Sequence, residues 1–262
     1  MITSTCKILV VEDNPVNLKL VTVLLKAKGF QFTCATNGLE ALTELEKNHF
    51  DIIIMDCQMP VMDGYEATIA IRKNEESTGK HIPILALTAN AMTYDRQKCL
   101  DAGMDEYLTK PINKDALYNM IEQLLPSHGE SPVQVDPVES VKTESETLFN
   151  KEELLERVGG DSEFMLELVN MFIEHAPGTI QELETAVSSN DMSATRSAAH
   201  KLKGMTSSMS AHELAKEAAI LEEHATSPKK DDSLIDRTIA KIRDQYAGLM
   251  AAFVAMRTGL AQ

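Results

Sequence analysis

Residues 1–125 alternate short β-branched or aliphatic runs with amphipathic stretches, and this rhythm constrains the fold more than any other feature of the chain. The runs are 8–11, 32–35, 52–55, 84–87 and a short one at 106–108. Helical patterns fall between and after them, near 15–28, 38–47, 64–75, 92–102 and 113–124. Continuous apolar strands separated by helices predict a parallel sheet covered on both faces. Five βα units predict a doubly wound α/β domain.

The rhythm stops at Pro126. Residues 126–147 mix Pro126, Gly129, Pro132 and Pro137 with Ser, Thr and acids, the composition of a flexible acidic linker. Its 22 residues have an r.m.s. span of roughly 25 Å. Residues 148–262 lack strand runs and show helical patterns over 151–158, 162–188, 191–208, 211–226 and 232–258. Breaks are expected at Gly159-Gly160, near Pro177, at Asn190-Asp191, at Ser210 and around Pro228. Asp161 and Asp191 are candidate N-caps, and Ser210 a candidate cap for the helix after it. Short connections between such helices predict an antiparallel four-helix bundle. The expected division is therefore 1–125, a linker over 126–147, and a bundle over 148–262.

With 25 Lys+Arg against 40 Asp+Glu the formal charge is −15. A chain this acidic repels phosphate backbones, so nucleic acid is not an expected partner. No stretch approaches the roughly 20 apolar residues of a membrane helix, and the run after Lys7 is too short for a signal peptide. Cys6, Cys34, Cys57 and Cys99 include no CxxC pair and read as reduced thiols of a cytoplasmic protein.

Acids stand where strands end. The first run ends at Glu12-Asp13 and the third at Asp56. In an open α/β sheet the carboxyl ends of the strands form the ligand crevice. Carboxylates gathered there repel unless a cation joins them, and hard oxygen ligands with room for water suit Mg²⁺. The fourth run is followed by the Thr88 hydroxyl and the fifth by the Lys110 ammonium. A metal, a hydroxyl and an ammonium around one carboxylate form a cradle for a phosphoryl group. Each acid alone would be an ordinary solvated loop residue; the signal is their coincidence. Cys57 adjoins Asp56, but strand alternation points it to the packing side, which favours packing over redox chemistry.

Residues 6–125 resemble a response-regulator receiver domain. The resemblance rests on Glu12-Asp13-Asn14-Pro15, on Asp56-Cys57-Gln58-Met59-Pro60-Val61-Met62-Asp63-Gly64, on Leu87-Thr88-Ala89-Asn90-Ala91 and on Tyr107-Leu108-Thr109-Lys110-Pro111. It implies a flavodoxin-like fold with Asp56 as phosphoacceptor. It further implies Mg²⁺ held by Glu12, Asp13, Asp56 and the backbone carbonyl of Gln58. Thr88 and Lys110 would hold phosphoryl oxygens, Thr88 and Tyr107 would form a switch pair, and Lys110-Pro111 would be cis. The wording is most like receivers of hybrid kinases, and the family leaves room for a receiver-mediated homodimer.

His200 is the histidine with a case to answer; the other six have no partner at metal spacing. At about 100° per residue, Ala194, Ala198, Leu202 and Met205 form one stripe, the core face. His200 falls opposite, with Arg196, Lys203 and Ser207 on its side. The expectation is an exposed, cationic face. Gly204 one turn on costs a helix about 1 kcal/mol relative to alanine, and its expected use is to let a partner surface approach the imidazole. Ala199-His200-Lys201-Leu202-Lys203-Gly204 resembles the motif of histidine phosphotransfer (HPt) domains. Gly159-Gly160-Asp161, Phe172, Ala176-Pro177 and Leu183 support the likeness, as do Ala218 and Leu221-Glu222. It implies His200 as a phosphoacceptor, with Lys203 steadying the phosphoryl charge. Met209-Ser210-Ala211 departs from the family, which usually places Gly before Ala.

These residues contain no P-loop and no ATP-binding boxes of a histidine kinase. The leading expectation is a phosphorelay intermediate between an upstream histidine kinase and a downstream response regulator, with transfer in cis or in trans. The alternative is a phosphorylation-regulated interaction module in which the helical half only binds partners. An aspartate-nucleophile phosphatase would want an acid at position 58, where Gln58 stands.

Overall fold

The computed structural model describes residues 6–89, 93–125, 148–227 and 231–259, without the side chains of 93–95. The expected linker, 126–147, lies outside the described residues. In the first half β1 (Lys7–Val11), β2 (Gln31–Ala35), β3 (Ile52–Asp56), β4 (Ile84–Thr88) and β5 (Glu106–Thr109) form one sheet in the order β2-β1-β3-β4-β5. All four pairings are parallel. The helices between and after them are α1 (Pro15–Ala27), α2 (Gly38–Lys47), α3 (Gly64–Thr78), α4 (Thr93–Ala102) and α5 (Lys114–Leu124).

The central strands read as unbroken apolar runs because both faces are covered. Ile8, Val10, Ile52, Ile54, Leu85 and Leu87 pack with Leu20, Leu24, Leu117 and Ile121 of α1 and α5. Leu9, Val11, Ile53, Met55, Ile84 and Ala86 pack with Ala41, Ala67, Ile71 and Cys99 of the other three helices. The strand order reverses between β1 and β3, so the crevice opens at their carboxyl ends. Two local devices shape it. Asn14 caps α1 by accepting from the Val16 and Asn17 N–H groups, with Pro15 in the first turn. Asp63 and Glu66 form a capping box on α3, whose first residue must be glycine: a Cβ on Gly64 would stand 2.1 Å from the Asp56 carbonyl oxygen.

The second half opens with a short α6 (Lys151–Arg157), followed by α7 (Ser162–Ser188), α8 (Met192–Ser208), α9 (His212–His224) and α10 (Asp232–Arg257). α7, α8, α9 and α10 each pack on the next and α10 closes on α7, making the four-helix bundle. Phe172, Leu183, Leu202, Met205, Leu221 and Phe253 are fully buried at its centre. Asp161 and Asp191 cap α7 and α8 as the sequence suggests. Two local readings need correction. Pro177 does not interrupt α7; buried Phe172, Ala176, Ile180 and Leu183 hold the helix on both sides of it. Ser210 is not a cap: it sits at φ 54, the left-handed region that suits glycine. The N-cap of α9 is Ala211, without a side-chain hydrogen bond.

The two halves touch. α1 packs on α7 and α8, and one apolar cluster runs from the α1–α5 face of the sheet into the bundle. Lys19 Nζ lies 2.6 Å from Glu167 Oε1 at the margin. Farther along, buried Arg157 donates from Nη1 to the Ile112 carbonyl at 3.4 Å.

Candidate functional site

Glu12 and Asp13 follow β1, and Asp56 ends β3 beside them. One carboxylate oxygen from each of the three lies within 4.8 Å of the others. Glu12 is fully buried. Its Oε1 accepts from the Asn17 carboxamide at 3.1 Å and from the Asn14 N–H at 3.3 Å. Lys110 Nζ stands 2.8 Å from Glu12 Oε2 and 2.6 Å from Asp56 Oδ2. The Lys110-Pro111 bond is cis, and the Lys110 N–H is tied to the Thr88 carbonyl at 2.7 Å. Gln58 donates its N–H to Asp56 Oδ1 at 3.2 Å. Thr88, almost fully buried at the end of β4, lines the same cavity as Asp56. Tyr107 is half-buried on β5, with the Arg96 guanidinium 5.9 Å from its ring centre.

The electrostatics follow from burial. Desolvation first, and then the Asp56 and Asp13 charges, push the Glu12 carboxyl up to about 8 against the pull of Lys110. Asp13 is raised for the same reasons, burial foremost and then Asp56. Burial would lower the Lys110 ammonium, but the Asp56 and Glu12 carboxylates more than offset it and hold its pKa above the usual lysine range. Fully ionised, the three carboxylates would outnumber the one ammonium by two charges, a deficit that a bound cation would relieve. Hard oxygen donors with that deficit fit a divalent cation such as Mg²⁺.

His200 lies on α8 opposite the Leu202–Met205 stripe, as its helical phase predicts, but it is not solvent-exposed. Its side chain is 14% exposed and that of Lys203 13%. The reason is the packing of the two halves: the polar face of α8 rests on α1. Nor is that face simply cationic. Glu222 of α9 takes His200 Nδ1 at 2.8 Å on Oε1 and Lys203 Nζ at 2.6 Å on Oε2. Burial alone would raise the Glu222 carboxyl; the His200 hydrogen bond and charge, with Lys203, outweigh it and hold it at about 2. His200 and Lys203 share one cavity with Asp56, Cys57, Gln58, Tyr65, Thr88 and Ala89, of about 20 Å³, the space of roughly one water. The charges of His200 and Lys201 also reach Asp13 and favour its ionised form.

Comparison with known proteins decides what these halves are. Residues 8–122 match the response regulator receiver domain family and residues 167–252 the Hpt domain family. The chain is a receiver domain followed by an Hpt domain. Relatives are hybrid and sensor kinases. Hybrid signal transduction histidine kinase B of Dictyostelium discoideum is 49% identical over 45% of this chain and 7% of its own length. Sensor histidine kinase GacS of Pseudomonas protegens is 33% identical over 76% of this chain and 22% of its own. The histidine-protein kinase BarA of Shigella flexneri is 27% identical over 87% and 25%. The chain thus spans a quarter or less of the length of these relatives. The receiver domain of a Pseudomonas aeruginosa sensor histidine kinase, crystallised with magnesium in its active-site cleft, is 43% identical over 47% of this chain and 98% of its own, with a TM-score of 0.43.

The crevice of the receiver therefore faces the histidine of the Hpt domain. Sequence reasoning placed Glu12, Asp13, Asp56, Gln58, Thr88 and Lys110 around one crevice, and the structure brings them together. Tyr107 lies on β5 opposite Ala86 of β4, two residues before Thr88. Five residues were not singled out: Asn14, Asn17, Lys201, Ser208 and Glu222. For Asn14 the signal was available, an asparagine before Pro15 at a helix start. For Ser208 and Glu222 only the tertiary pairing gives them a role.

No helix among the described residues is long and apolar enough to cross a membrane.

Proposed function

We propose that this chain is a phosphorelay intermediate in which Asp56 and His200 exchange a phosphoryl group within one molecule. The observation that carries the reading is that both acceptors line one small cavity between the two domains. Glu222, ionised and acceptor-only, accepts from a protonated His200 Nδ1, so Nε2 is the ring nitrogen whose lone pair can attack. In the transfer, the bond between phosphorus and the Asp56 oxygen breaks and its electron pair returns to the carboxylate. The Nε2 lone pair forms the new N–P bond, while the Nδ1 proton stays on the ring, hydrogen-bonded to Glu222. The reverse step uses the same atoms. Lys110 and Thr88 hold phosphoryl oxygens from the receiver side, and Lys203, tethered by Glu222, offers its ammonium from the other.

Mg²⁺, held by Glu12, Asp13, Asp56 and the Gln58 carbonyl, would supply the charge that offsets the transferring group. Tyr107 serves as the aromatic partner of the Thr88 switch. An upstream histidine kinase and a downstream response regulator complete the relay, in a cytoplasmic setting. The test is labelling from a small phosphodonor. Asp56→Asn should abolish label on the receiver, and His200→Gln should abolish the acid-labile, base-stable label while sparing the receiver. Loss of transfer in His200→Gln without change in partner binding separates a relay from a pure interaction module.

A further inference from the structure

The contact between the domains contains a buried polar chain with a fixed direction. Ser208 Oγ on α8 donates to Asn17 Oδ1 at 2.6 Å, and Asn17 Nδ2 donates to Glu12 Oε1 at 3.1 Å. Asn17, Ser208 and Glu12 are all 2% exposed or less. Beside them Asn14 Nδ2 donates to the Lys201 carbonyl at 3.1 Å. Gly204 brings the α8 backbone so close that a Cβ there would stand 3.2 Å from Asn17 Nδ2.

The direction is imposed by the receiver. Glu12 Oε1 already accepts from the Asn14 N–H at 3.3 Å, and Oε2 faces the Lys110 ammonium at 2.8 Å, so Oε1 meets Asn17 as an acceptor. The Asn17 carboxamide must therefore turn its NH₂ to Glu12, and its carbonyl oxygen then faces the bundle. A buried oxygen facing a partner requires a donor from that partner. A helix that docks here needs a hydroxyl donor at the place of Ser208, and the close approach four residues before it, at Gly204, favours glycine. We propose that Asn17 is a specificity-determining residue of the relay. It accepts as docking partner a histidine-bearing helix with this glycine–hydroxyl pair, and the helix this chain presents to it is its own α8. The proposal rests on the reading that Asp56 and His200 exchange a phosphoryl group.

The test compares full-length wild-type chain with Ser208→Thr, Ser208→Ala and Ser208→Asp by small-angle X-ray scattering, with Asn17→Leu as a variant from the other side. Threonine keeps the donor, alanine removes it, and aspartate sets an acceptor against an acceptor. An orphaned buried carbonyl should shift the ratio of docked to separated domains roughly five- to a hundredfold. Wild type and Ser208→Thr should scatter as compact particles. Ser208→Ala, Ser208→Asp and Asn17→Leu should show a larger radius of gyration. Equal compactness of all variants overturns the proposal, and so does expansion in Ser208→Thr. Scattering does not depend on phosphotransfer, whereas failure of the relay reading would show as absence of label on wild-type His200.

Discussion

His200 Nδ1 lies 2.8 Å from Glu222 Oε1, and the other oxygen of the same carboxylate lies 2.6 Å from Lys203 Nζ. One acid on α9 thus fixes both the tautomer of the acceptor imidazole and the position of the nearest ammonium. Glu222→Gln keeps the shape and loses the charge. A hydrogen bond to a charged group contributes about 1.5–3 kcal/mol, so phosphoryl uptake by His200 should slow roughly ten- to a hundredfold. Rapid-quench labelling measures it. Receiver labelling should be unaffected, because Asp56 lies in the other domain.

The same carboxylate gives the fold an acid limit. Glu222 is held at about 2 in the folded chain against an ordinary 4.5. A depressed carboxylate stabilises the fold above its unfolded pKa, and that contribution fades as pH falls through the folded one. It should therefore be complete above about pH 4.5 and fade towards pH 2, with at most about 3 kcal/mol at stake. Urea titrations from pH 6 to pH 3 should show wild type losing more stability than Glu222→Gln. Parallel losses would contradict the pairing.

Leu202 and Lys203 are neighbours in sequence with opposite surroundings. Leu202 is fully buried in the bundle, so Leu202→Ala should cost about 2–5 kcal/mol. Lys203 lies off that core, and Glu222 keeps His200 as a partner when the ammonium is removed. Lys203→Ala should cost clearly less and mainly slow His200 labelling. Chemical denaturation of both variants checks the order.

Gly204→Ala should push two quantities in opposite directions. Alanine favours a helix interior over glycine by about 1 kcal/mol, so the isolated stability of α8 should rise. Its Cβ would stand 3.2 Å from Asn17 Nδ2, tighter than an ordinary contact, so docking should weaken. Higher melting temperature with slower exchange between Asp56 and His200 is the expected pair of outcomes.

Much of this arrangement was legible in the chain, and the gaps have physical causes. Strand ends carrying Glu12-Asp13, Asp56 and Thr88 follow from the period of apolar runs and from the sheet rule that gathers carboxyl ends. The helical phase of α8 correctly took His200 off the bundle core. What that phase could not say is what lies against the polar face: a period of 3.6 describes one helix, and α1 belongs to another domain. The burial of His200 and Lys203 was therefore missed. In the sequence Glu222 carries only a family likeness, because its meeting with His200 depends on the packing of α9 on α8. Residue type suggests a cap at Ser210, yet the chain needs a left-handed turn there.

The central claim is that Asp56 and His200 exchange within one chain. It is tested most directly by the rate at which label passes from Asp56 to His200 after a brief pulse of phosphodonor with Mg²⁺, measured over a hundredfold range of protein concentration. Base-labile acyl phosphate should decay into base-stable phosphohistidine with one rate constant at every concentration. A rate that climbs in proportion to concentration would contradict the account, since transfer would then require a second molecule.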